Sequence, residues 1–318
     1  MANKKCFVGI DTSNYTTSFA LCDGDGVAVA NIRRLLEVKE GERGLRQSDA
    51  VFSHVKNFPV ISNEIREALA GYDIAAIGVS DKPRDAEGSY MPCFMTGVAV
   101  AEVLSAASGA PLYRFSHQSG HIMSALYSST QMDRLEKDDF VAFHVSGGTT
   151  EALLVSPDTK RGFRVSIIAD TADISAGQAI DRAGVLMGMR FPCGRELEKA
   201  AMEFSGKLPP VSVCVREGRC NLSGLENMAK ELYSRTGDIQ LTSAYVLEFV
   251  GKTLDRLTDF VREKYPDAPI VYAGGVMSNK ILQNRLSKYE RTYFTEPQYS
   301  ADNSVGIALL AKKELEKR

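Results

Sequence analysis

Residues 140–154, FVAFHVSGGTTEALL, contain an apolar run, a short turn of serine, glycine and threonine, and a second apolar run. Residues 7–21, FVGIDTSNYTTSFAL, align with this stretch without a gap, so that Phe7 matches Phe140. Each copy has the pattern of a strand, a polar turn and a strand. Although β-rich segments can match by chance, a hairpin that opens each half of the chain indicates duplication, which predicts two related lobes.

A chain of 318 residues exceeds what one hydrophobic core usually supports, which also favours two domains. Strand patterns alternate with helical patterns in both halves, as expected of an α/β protein. We place an N-terminal lobe at residues 1–130 and a C-terminal lobe at residues 131–318. The other predicted strands are 74–79, 111–115, 163–169, 270–273 and 291–295, and the predicted helices are 48–69, 97–107, 176–187, 194–204, 225–235, 243–264, 279–289 and one from residue 304.

The composition is that of an ordinary soluble globular protein, with 44% hydrophobic and 25% charged residues. The longest apolar stretches are too short for a membrane helix or a secretory signal, so we expect a cytoplasmic protein without membrane attachment. Six cysteines without a C-x-x-C pair indicate reduced thiols. The net charge of -2 excludes a global nucleic-acid footprint, so an RNA partner would need a local basic patch or helper subunits.

The turn SGGTT at residues 146–150 can present backbone N–H groups and hydroxyls to a phosphate, although many hairpins bend at Gly-Gly for steric reasons alone. A second glycine pair, Gly274 and Gly275 in IVYAGGVMSN, follows a buried-strand pattern and precedes a helix start. Ligands of open α/β sheets gather outside the carboxyl ends of the strands. Two such hairpins and a strand-Gly-Gly-helix element resemble the actin, Hsp70 and sugar-kinase fold, in which a nucleotide binds in the cleft between two lobes.

His117 and His121 lie four residues apart in FSHQSGHIMSAL, so on a helix they share a face and can bind one metal ion. Two solvent-facing histidines near a helix start are the alternative. A third ligand should be an acid, and Asp302 in SADNSVGIALLA is the candidate. A capping role at the last helix is the alternative for Asp302.

The sequence resembles the TsaD family of tRNA threonylcarbamoyladenosine synthases, formerly called O-sialoglycoprotein endopeptidases, whose motifs recur in family order from residue 7 to residue 311. Seven motifs between residues 117 and 311 make the resemblance specific. These motifs are HQSGH, HVSGGTTEALLV, DISAGQAIDRAG, FPCG, NLSGLENM, YAGGVMSNKILQNRL and ADNSVGIALLA. The resemblance implies a duplicated α/β fold of the actin, Hsp70 and sugar-kinase type and a metal ion, Fe²⁺ or Zn²⁺. The implied metal ligands are His117, His121 and Asp302, and the implied substrate-binding residues are His144, Val145, Ser146, Gly147, Gly148, Asp181, Gly194 and Asn279.

The activity that this resemblance implies is an acyl transfer to tRNA. The family moves a threonylcarbamoyl group from threonylcarbamoyl-AMP to N6 of the adenosine beside the anticodon, and it releases AMP. The implied ligand is therefore an adenylate, with ATP or ADP as further candidates. The implied partners are tRNA and subunits of the TsaB-like and TsaE-like kinds.

The chain departs from the family pattern at several positions, which indicates a divergent paralogue. The family's first hairpin usually has E-T-S-C-D-E-T, whereas this chain has DTSNYTT, so that Asn14, Tyr15 and Thr16 replace a cysteine and two acids. The segment DKPRDAEGSYMPCF, residues 81–94, replaces the usual G-P-G, and Arg182 replaces a lysine. Asp11 is the remaining acid of the first hairpin and our candidate for the catalytic proton acceptor, with metal binding or hairpin capping as the alternatives.

Three other functions were compared with the transferase. A small-molecule kinase needs an acid near the attacking hydroxyl. The second hairpin has His144 at the position that Asp11 occupies in the first hairpin, which disfavours a kinase. A nucleotide- and metal-binding paralogue with another acceptor, or a regulatory subunit without chemistry, stays open because the first hairpin lacks two acids. A peptidase of the H-E-x-x-H type is excluded, since residues 118–120 between the two histidines include no glutamate.

Overall fold

The computed structural model describes residues 3–13, 15–37, 45–129, 137–158, 162–300 and 303–317. These residues form two compact units, one of residues 1–130 with 298–318 and one of residues 131–297. Within the described ranges no helix is long and apolar enough to cross a membrane.

The first unit contains a five-stranded sheet in the order β3-β2-β1-β4-β5. Strands β1 to β3 form an antiparallel meander, whereas β4 and β5 run parallel to β1. The strands are β1 (Lys4–Ser13), β2 (Thr16–Asp23), β3 (Ala28–Leu35), β4 (Tyr72–Lys82) and β5 (Leu112–Ser116). The helices are α1 (Gln47–Leu69), α2 (Phe94–Ser108) and α3 (His117–Ser128).

The second unit contains a seven-stranded sheet in the order β12-β11-β6-β7-β8-β10-β9. Its strands are β6 (Phe140–Val145), β7 (Thr150–Asp158), β8 (Gly162–Thr171), β9 (Cys214–Arg216), β10 (Arg219–Asn221), β11 (Ile270–Ala273) and β12 (Thr292–Phe294). Its helices are α4 (Ala176–Leu186), α5 (Gly194–Met202), α6 (Gly224–Thr236), α7 (Ile239–Lys264) and α8 (Lys280–Leu286), and a 3-10 turn covers Gly275–Ser278. The long helix α7 and the strand β6 contribute many of the residues of this unit's core.

The two sheets share a five-stranded arrangement, which confirms the duplicated α/β fold. The order β8-β7-β6-β11-β12 repeats the order β3-β2-β1-β4-β5, and paired strands run in the same relative directions. Phe7 pairs with Cys22 in the first hairpin, and Phe140 pairs with Val155 in the second. These are equivalent positions of the sequence repeat, so the two hairpins have the same register as well as the same pattern.

The last two helices, α9 (Pro297–Ser300) and α10 (Val305–Glu316), follow the second sheet in the sequence. Residues 298–318, expected in the C-terminal lobe from the sequence, group with the first unit in the structure. The physical reason is the contact of the last helix with β1 and β4. A Cβ atom at Gly9 would lie 2.1 Å from the carbonyl oxygen of Ser304, so glycine lets this segment lie directly on the sheet.

Candidate functional site

The parallel strands β1, β4 and β5 end at the same edge of the first sheet, which we call the first edge. Asp11 lies near the end of β1, Ser80 near the end of β4, and Ser116 at the end of β5. Helix α3 begins directly after β5 with His117. Sheet topology therefore brings together a carboxylate, two hydroxyls and an imidazole that are distant in the sequence.

Asp11 is held in place by hydrogen bonds at both carboxylate oxygens, and only 1% of the residue is exposed. Its Oδ1 accepts from the N–H of Ser13 at 2.9 Å. Its Oδ2 accepts from the hydroxyl of Ser80 and lies 2.8 Å from Nδ1 of His117. Because an ionised carboxylate can only accept, this contact favours the His117 tautomer with its proton on Nδ1 and a lone pair on Nε2.

His117 and His121 lie one helical turn apart on α3, and their side chains converge. The two Nε2 atoms are 2.9 Å apart, and the rings meet edge to face with centroids separated by 4.3 Å. The His117 side chain is 17% exposed, so the pair lies at the surface end of a buried helix. Two imidazole nitrogens that face each other in this way can bind one metal ion.

Asp302, the expected third ligand, lies outside the described residues. Its neighbour Asn303 is buried, and its Oδ1 accepts from the hydroxyl of Ser124 at 3.0 Å. Ser124 lies on α3 three residues after His121 and also accepts from the N–H of Gly306 at 2.9 Å. Among the residues that the structure describes, no three His, Cys, Asp or Glu side chains form a group that could bind a metal ion.

Residues Pro83 and Asp85, which follow β4, are hydrogen-bonded to the first turn of α3. Ser116 caps this helix by accepting from the N–H of Ser119 at 3.1 Å. Asp85 Oδ2 accepts from the hydroxyls of Ser116 and Ser119 at 2.9 and 2.8 Å. The carbonyl of Pro83 accepts from the N–H of Gln118 at 3.0 Å. A carboxylate at a helix N-terminus is also favoured by the helix dipole, so this segment stabilises the turn that carries His117.

His54 on α1 is completely buried behind the first hairpin. Its Nδ1 lies 2.8 Å from the hydroxyl of Thr17, which accepts from the Asn57 amide at 2.9 Å. Burial lowers the pKa of His54, and this effect is opposed in part by Asp11 and by the Ser13 backbone. His54 Nε2 has no hydrogen bond of normal geometry among the described residues.

The second hairpin turns through residues 146–149, and hydrogen bonds between residues of the hairpin define the shape of this turn. The Ser146 hydroxyl accepts from the N–H groups of Gly148 and Thr149, both at 3.2 Å. His144 Nδ1 lies 3.1 Å from the hydroxyl of Thr149, and His144 is 8% exposed. The N–H of Gly147 has no hydrogen-bond partner within the described residues, and a Cβ atom there would meet open space. The exposed face of the turn can therefore bind an anion.

The start of α4 packs against this turn. Ser175 caps the helix and donates to the carbonyl of Gly147 at 2.8 Å. The N–H of Gly177 donates to the carbonyl of Ser146 at 3.1 Å. A Cβ atom at Gly177 would lie 2.6 Å from the Gly147 Cα, so no larger residue fits without moving the turn. The N-terminus of a helix adds a favourable field for an anion at this place.

The glycine pair after β11 lies beside the end of β6. Gly274 has a φ angle of 99°, and a Cβ atom there would lie 2.3 Å from the carbonyl oxygen of Val145. Val145 itself is fully buried. Asn279 is 7% exposed and caps α8 by accepting from the N–H of Leu282 at 3.1 Å.

Asp181 on α4 is hydrogen-bonded to Cys193, the residue before Gly194 at the start of α5. Asp181 Oδ1 accepts from the N–H of Cys193 at 2.7 Å. Burial raises the pKa of Asp181, and this bond opposes the shift. Arg182 turns away to an ion pair with Glu226 at 3.2 Å. The predicted residues of the second unit therefore lie at the end of β6 and in the turn after it, on α4, and at the starts of α5 and α8.

Asp173 ties two loops of the second unit together ahead of α4. Its Oδ1 accepts from the N–H groups of Ile174 and Leu222 at 2.7 and 2.8 Å. Its Oδ2 accepts from the N–H and the hydroxyl of Ser223 at 3.0 and 2.6 Å. Burial opposes ionisation here, but these hydrogen bonds outweigh it and hold the pKa of Asp173 well below its ordinary value.

Sequence reasoning missed several residues of these sites. Ser80, Asp85 and His54 contact the first edge or its hairpin, but their roles depend on sheet order and helix packing, for which local pattern contains no signal. A cavity of about 680 Å³ lies elsewhere in the second unit, between α7, α8 and residues 211–213, and it contains none of the predicted site residues.

Comparison with known proteins identifies related sequences over most of the chain. The family model "TsaD: tRNA N6-adenosine threonylcarbamoyltransferase" matches residues 37–309. A tRNA N6-adenosine threonylcarbamoyltransferase of Streptococcus pneumoniae strain Taiwan19F-14 is 29% identical over 294 residues, which cover 88% of this chain and 82% of the relative. The enzyme of strain CGSP14 has the same identity and coverage.

Comparison with solved structures supports the fold alone, because the sequence identities are low. The activator of 2-hydroxyisocaproyl-CoA dehydratase from Clostridium difficile, with bound ADPNP, has a TM-score of 0.56 and 15% identity, and the match covers 98% of this chain and 96% of that one. Full-length HypF in its phosphate- and nucleotide-bound form has a TM-score of 0.61 and 15% identity, with 99% of this chain and 47% of that chain covered.

Proposed function

Because the chain belongs to the TsaD family of tRNA N6-adenosine threonylcarbamoyltransferases, we propose that it is a cytoplasmic acyltransferase that modifies tRNA. It transfers a threonylcarbamoyl group from threonylcarbamoyl-AMP to N6 of the adenosine next to the anticodon. The observation that carries this proposal is the match of the family model over residues 37–309. TsaB-like and TsaE-like subunits are the proposed partners.

The reaction needs positioning and charge stabilisation, since an exocyclic amine is a weak nucleophile. Negative charge develops on the carbamoyl oxygen and on the phosphate that leaves with AMP, and fixed N–H dipoles stabilise such charge. The N–H of Gly147 and the N-terminus of α4 are the candidates for the phosphate in the second unit. Asp181, Gly194 and Asn279 are the proposed contacts of the adenosine.

The two histidines of the first edge fit a divalent metal ion. Their Nε2 atoms face each other at 2.9 Å, and the other nitrogen of His117 is hydrogen-bonded to the Asp11 carboxylate. A carboxylate behind a histidine is the usual way in which proteins orient a metal-binding imidazole. When bound, Fe²⁺ or Zn²⁺ would act as a Lewis acid toward the substrate oxygens.

Asp302 is the proposed third ligand. Its support is the hydrogen bond between the next residue, Asn303, and Ser124 on the helix that carries both histidines. Asp11 is proposed to orient His117 rather than to accept the amine proton. Both of its oxygens already accept hydrogen bonds, and only 1% of the residue is exposed to a substrate.

The experiment is a transfer assay with purified protein, threonylcarbamoyl-AMP and an anticodon-stem tRNA, with and without the partner subunits. Nucleoside mass spectrometry measures the modified adenosine. We expect product with the wild-type chain and none with His117→Ala. Asp73→Asn, an exposed position at the far end of β4, is the matched control and should keep full activity.

A negative result would be informative if the protein is folded. A chain that binds an adenine nucleotide and Zn²⁺ but makes no product with any partner subunit contradicts the proposal. In that case a paralogue with a different acceptor, or a regulatory subunit, becomes the better interpretation, and the missing acids at Tyr15 and Thr16 are the first candidates for the cause.

A further inference from the structure

The start of α3 contains two serines whose hydroxyl groups contact each other. Ser116 is completely buried and Ser119 is 6% exposed. Their hydroxyl oxygens are 2.8 Å apart, and the Ser116 oxygen also accepts from the backbone N–H of Ser119 at 3.1 Å, which caps the helix. Because each hydroxyl has a single proton, this cap depends on where the two protons point.

The carboxylate of Asp85 fixes the direction of both protons. Its Oδ2 lies 2.9 Å from the hydroxyl oxygen of Ser116 and 2.8 Å from that of Ser119. An ionised carboxylate can only accept hydrogen bonds, so both hydroxyls donate to Asp85 and neither donates to the other. The Ser116 oxygen thereby keeps its lone pairs for the N–H of Ser119. Asp85 therefore holds the cap in its accepting orientation with two charge-assisted hydrogen bonds.

The segment that carries Asp85 is attached both to β4 and to α3. Asp85 Oδ1 lies 3.3 Å from the Nζ of Lys82 on β4, and the carbonyl of Pro83 accepts from the N–H of Gln118 on α3 at 3.0 Å. The Asp85 side chain is itself 43% exposed. Exposed ion pairs contribute little to stability, so replacing Asp85 should leave the unit folded and act mainly on the two serine hydroxyls.

The cap of α3 matters for the metal site because this helix carries both histidines. His117 directly follows Ser116, and His121 lies two residues after Ser119. His117 keeps its Nδ1 2.8 Å from Asp11 and its Nε2 2.9 Å from the Nε2 of His121 at the same time. Groups of a functional site work only when the residues around them hold them within about 0.5 Å of the productive geometry. A first turn with a loose cap would lose this precision.

We propose that Asp85 is a positioning residue for the two histidines. Through Ser116 and Ser119 it holds the start of α3 in the orientation in which His117 and His121 bind one divalent metal ion. This assignment rests on the metal site of the proposed function. Asp85 itself touches neither the metal ion nor the substrate.

A Zn²⁺ titration of the intact chain against a chromophoric chelator tests this role without any need for activity. Replacing a residue that directly orients a metal-binding imidazole typically weakens metal binding about 10–100-fold. Asp85 acts through two further side chains, so we expect Asp85→Ala to weaken Zn²⁺ binding about 5–10-fold. Asp85→Asn should recover most of this affinity, because its amide oxygen can still accept from both hydroxyls. Glu87→Ala, which removes an exposed carboxylate of the same segment, is the matched control and should bind Zn²⁺ as the wild type does.

Ser119→Ala provides a second variant and a test of coupling. If Asp85 acts through the serine hydroxyls, the double variant Asp85→Ala/Ser119→Ala should bind Zn²⁺ about as well as Asp85→Ala alone, because both substitutions remove the same interaction. The Tm of each variant is measured alongside. A purely structural role would lower the Tm of Asp85→Ala and leave the Zn²⁺ affinity of the folded chain unchanged.

The outcomes separate this role from the proposed function. A Zn²⁺ affinity of Asp85→Ala within about twofold of the wild type, an equal loss in Glu87→Ala, or additive losses in the double variant would overturn the role of Asp85 and leave the transferase function intact. A wild-type chain that binds no Zn²⁺ would overturn the metal site and this role with it. The transfer assay decides the proposed function separately, since a wild-type chain that makes no product contradicts that function whatever its Zn²⁺ affinity.

Discussion

Replacing Asp173 should destabilise the second unit measurably, because one carboxylate accepts four hydrogen bonds of 3.0 Å or shorter from two loops. Three of the donors are backbone N–H groups and one is the Ser223 hydroxyl, at distances of 2.6 to 3.0 Å. Asp173 is exposed enough for water to replace part of each bond, so each contributes about 0.5–1 kcal/mol net. Asp173→Ala should therefore lower the free energy of unfolding by about 2–4 kcal/mol.

Asp173→Asn removes the charge of the side chain but keeps its shape. The amide can keep an oxygen toward Ile174 and Leu222, but its NH₂ group then faces the N–H of Ser223, so about half of the loss is expected, about 1–2 kcal/mol. Asp170→Asn is the matched control. Its ion pair with Arg219 at 3.1 Å is exposed and should contribute less than about 1 kcal/mol.

Urea unfolding followed by circular dichroism measures these changes, and hydrogen exchange of residues 171–178 and 219–225 localises them. The pKa of Asp173 is lower in the folded state than its ordinary value of 3.8, so its contribution is complete above that value and is lost as the pH falls. The difference between the wild type and Asp173→Asn should therefore be constant from about pH 5 to 8 and shrink only below about pH 4. Equal urea midpoints at pH 7, or a difference that disappears by pH 6, would refute the reasoning.

Three further predictions concern the sites themselves. Asp11→Asn should weaken Zn²⁺ binding about 10–100-fold in a competition titration, because His117 loses the carboxylate that orients it; unchanged affinity would count against the metal site. Gly177→Val should abolish adenine-nucleotide binding in calorimetry, because even its Cβ atom would lie 2.6 Å from Gly147 Cα, and retained binding would place the nucleotide elsewhere. Since burial lowers the pKa of His54, the wild type should lose stability relative to His54→Gln as the pH falls below about 6.5, and parallel Tm curves from pH 5 to 8 would contradict this.

The duplicated hairpin shows how far local pattern can predict a fold. The repeat predicted two α/β lobes, and the structure adds that Phe7 and Phe140 occupy the same register position in two sheets of the same order. Strand β3 was not predicted, because AVANIRRL has neither a continuous apolar run nor a strict alternation. The short strands β9 and β10 have only three residues each, too few for a periodic signal.

The sequence predicted which side chains could bind a metal ion or a substrate, but not the contacts that hold these side chains in place. The spacing of His117 and His121 alone predicts a shared helix face, and the structure brings their Nε2 atoms to 2.9 Å. The contact of Asp11 with His117 depends on β1, β4 and β5 ending at one edge, which requires the order of strands far apart in the chain. In the pairing of β4 with β5, Ser80 faces Phe115 and Lys82 faces Ser116, and this irregular register likewise cannot be seen in a single sequence.

The return of the last helix to the first unit has a consequence for biosynthesis. The second unit is continuous, residues 131–297, so a ribosome releases all of it before the first unit has its final helix. Until residues 305–316 emerge, the sheet surface around Gly9 and Gly78 that they cover stays open to water and to chaperones. The first unit is thus begun before the second and completed after it, and helix α3 with its histidines gains its contact with Asn303 only after residues 131–297 have been made.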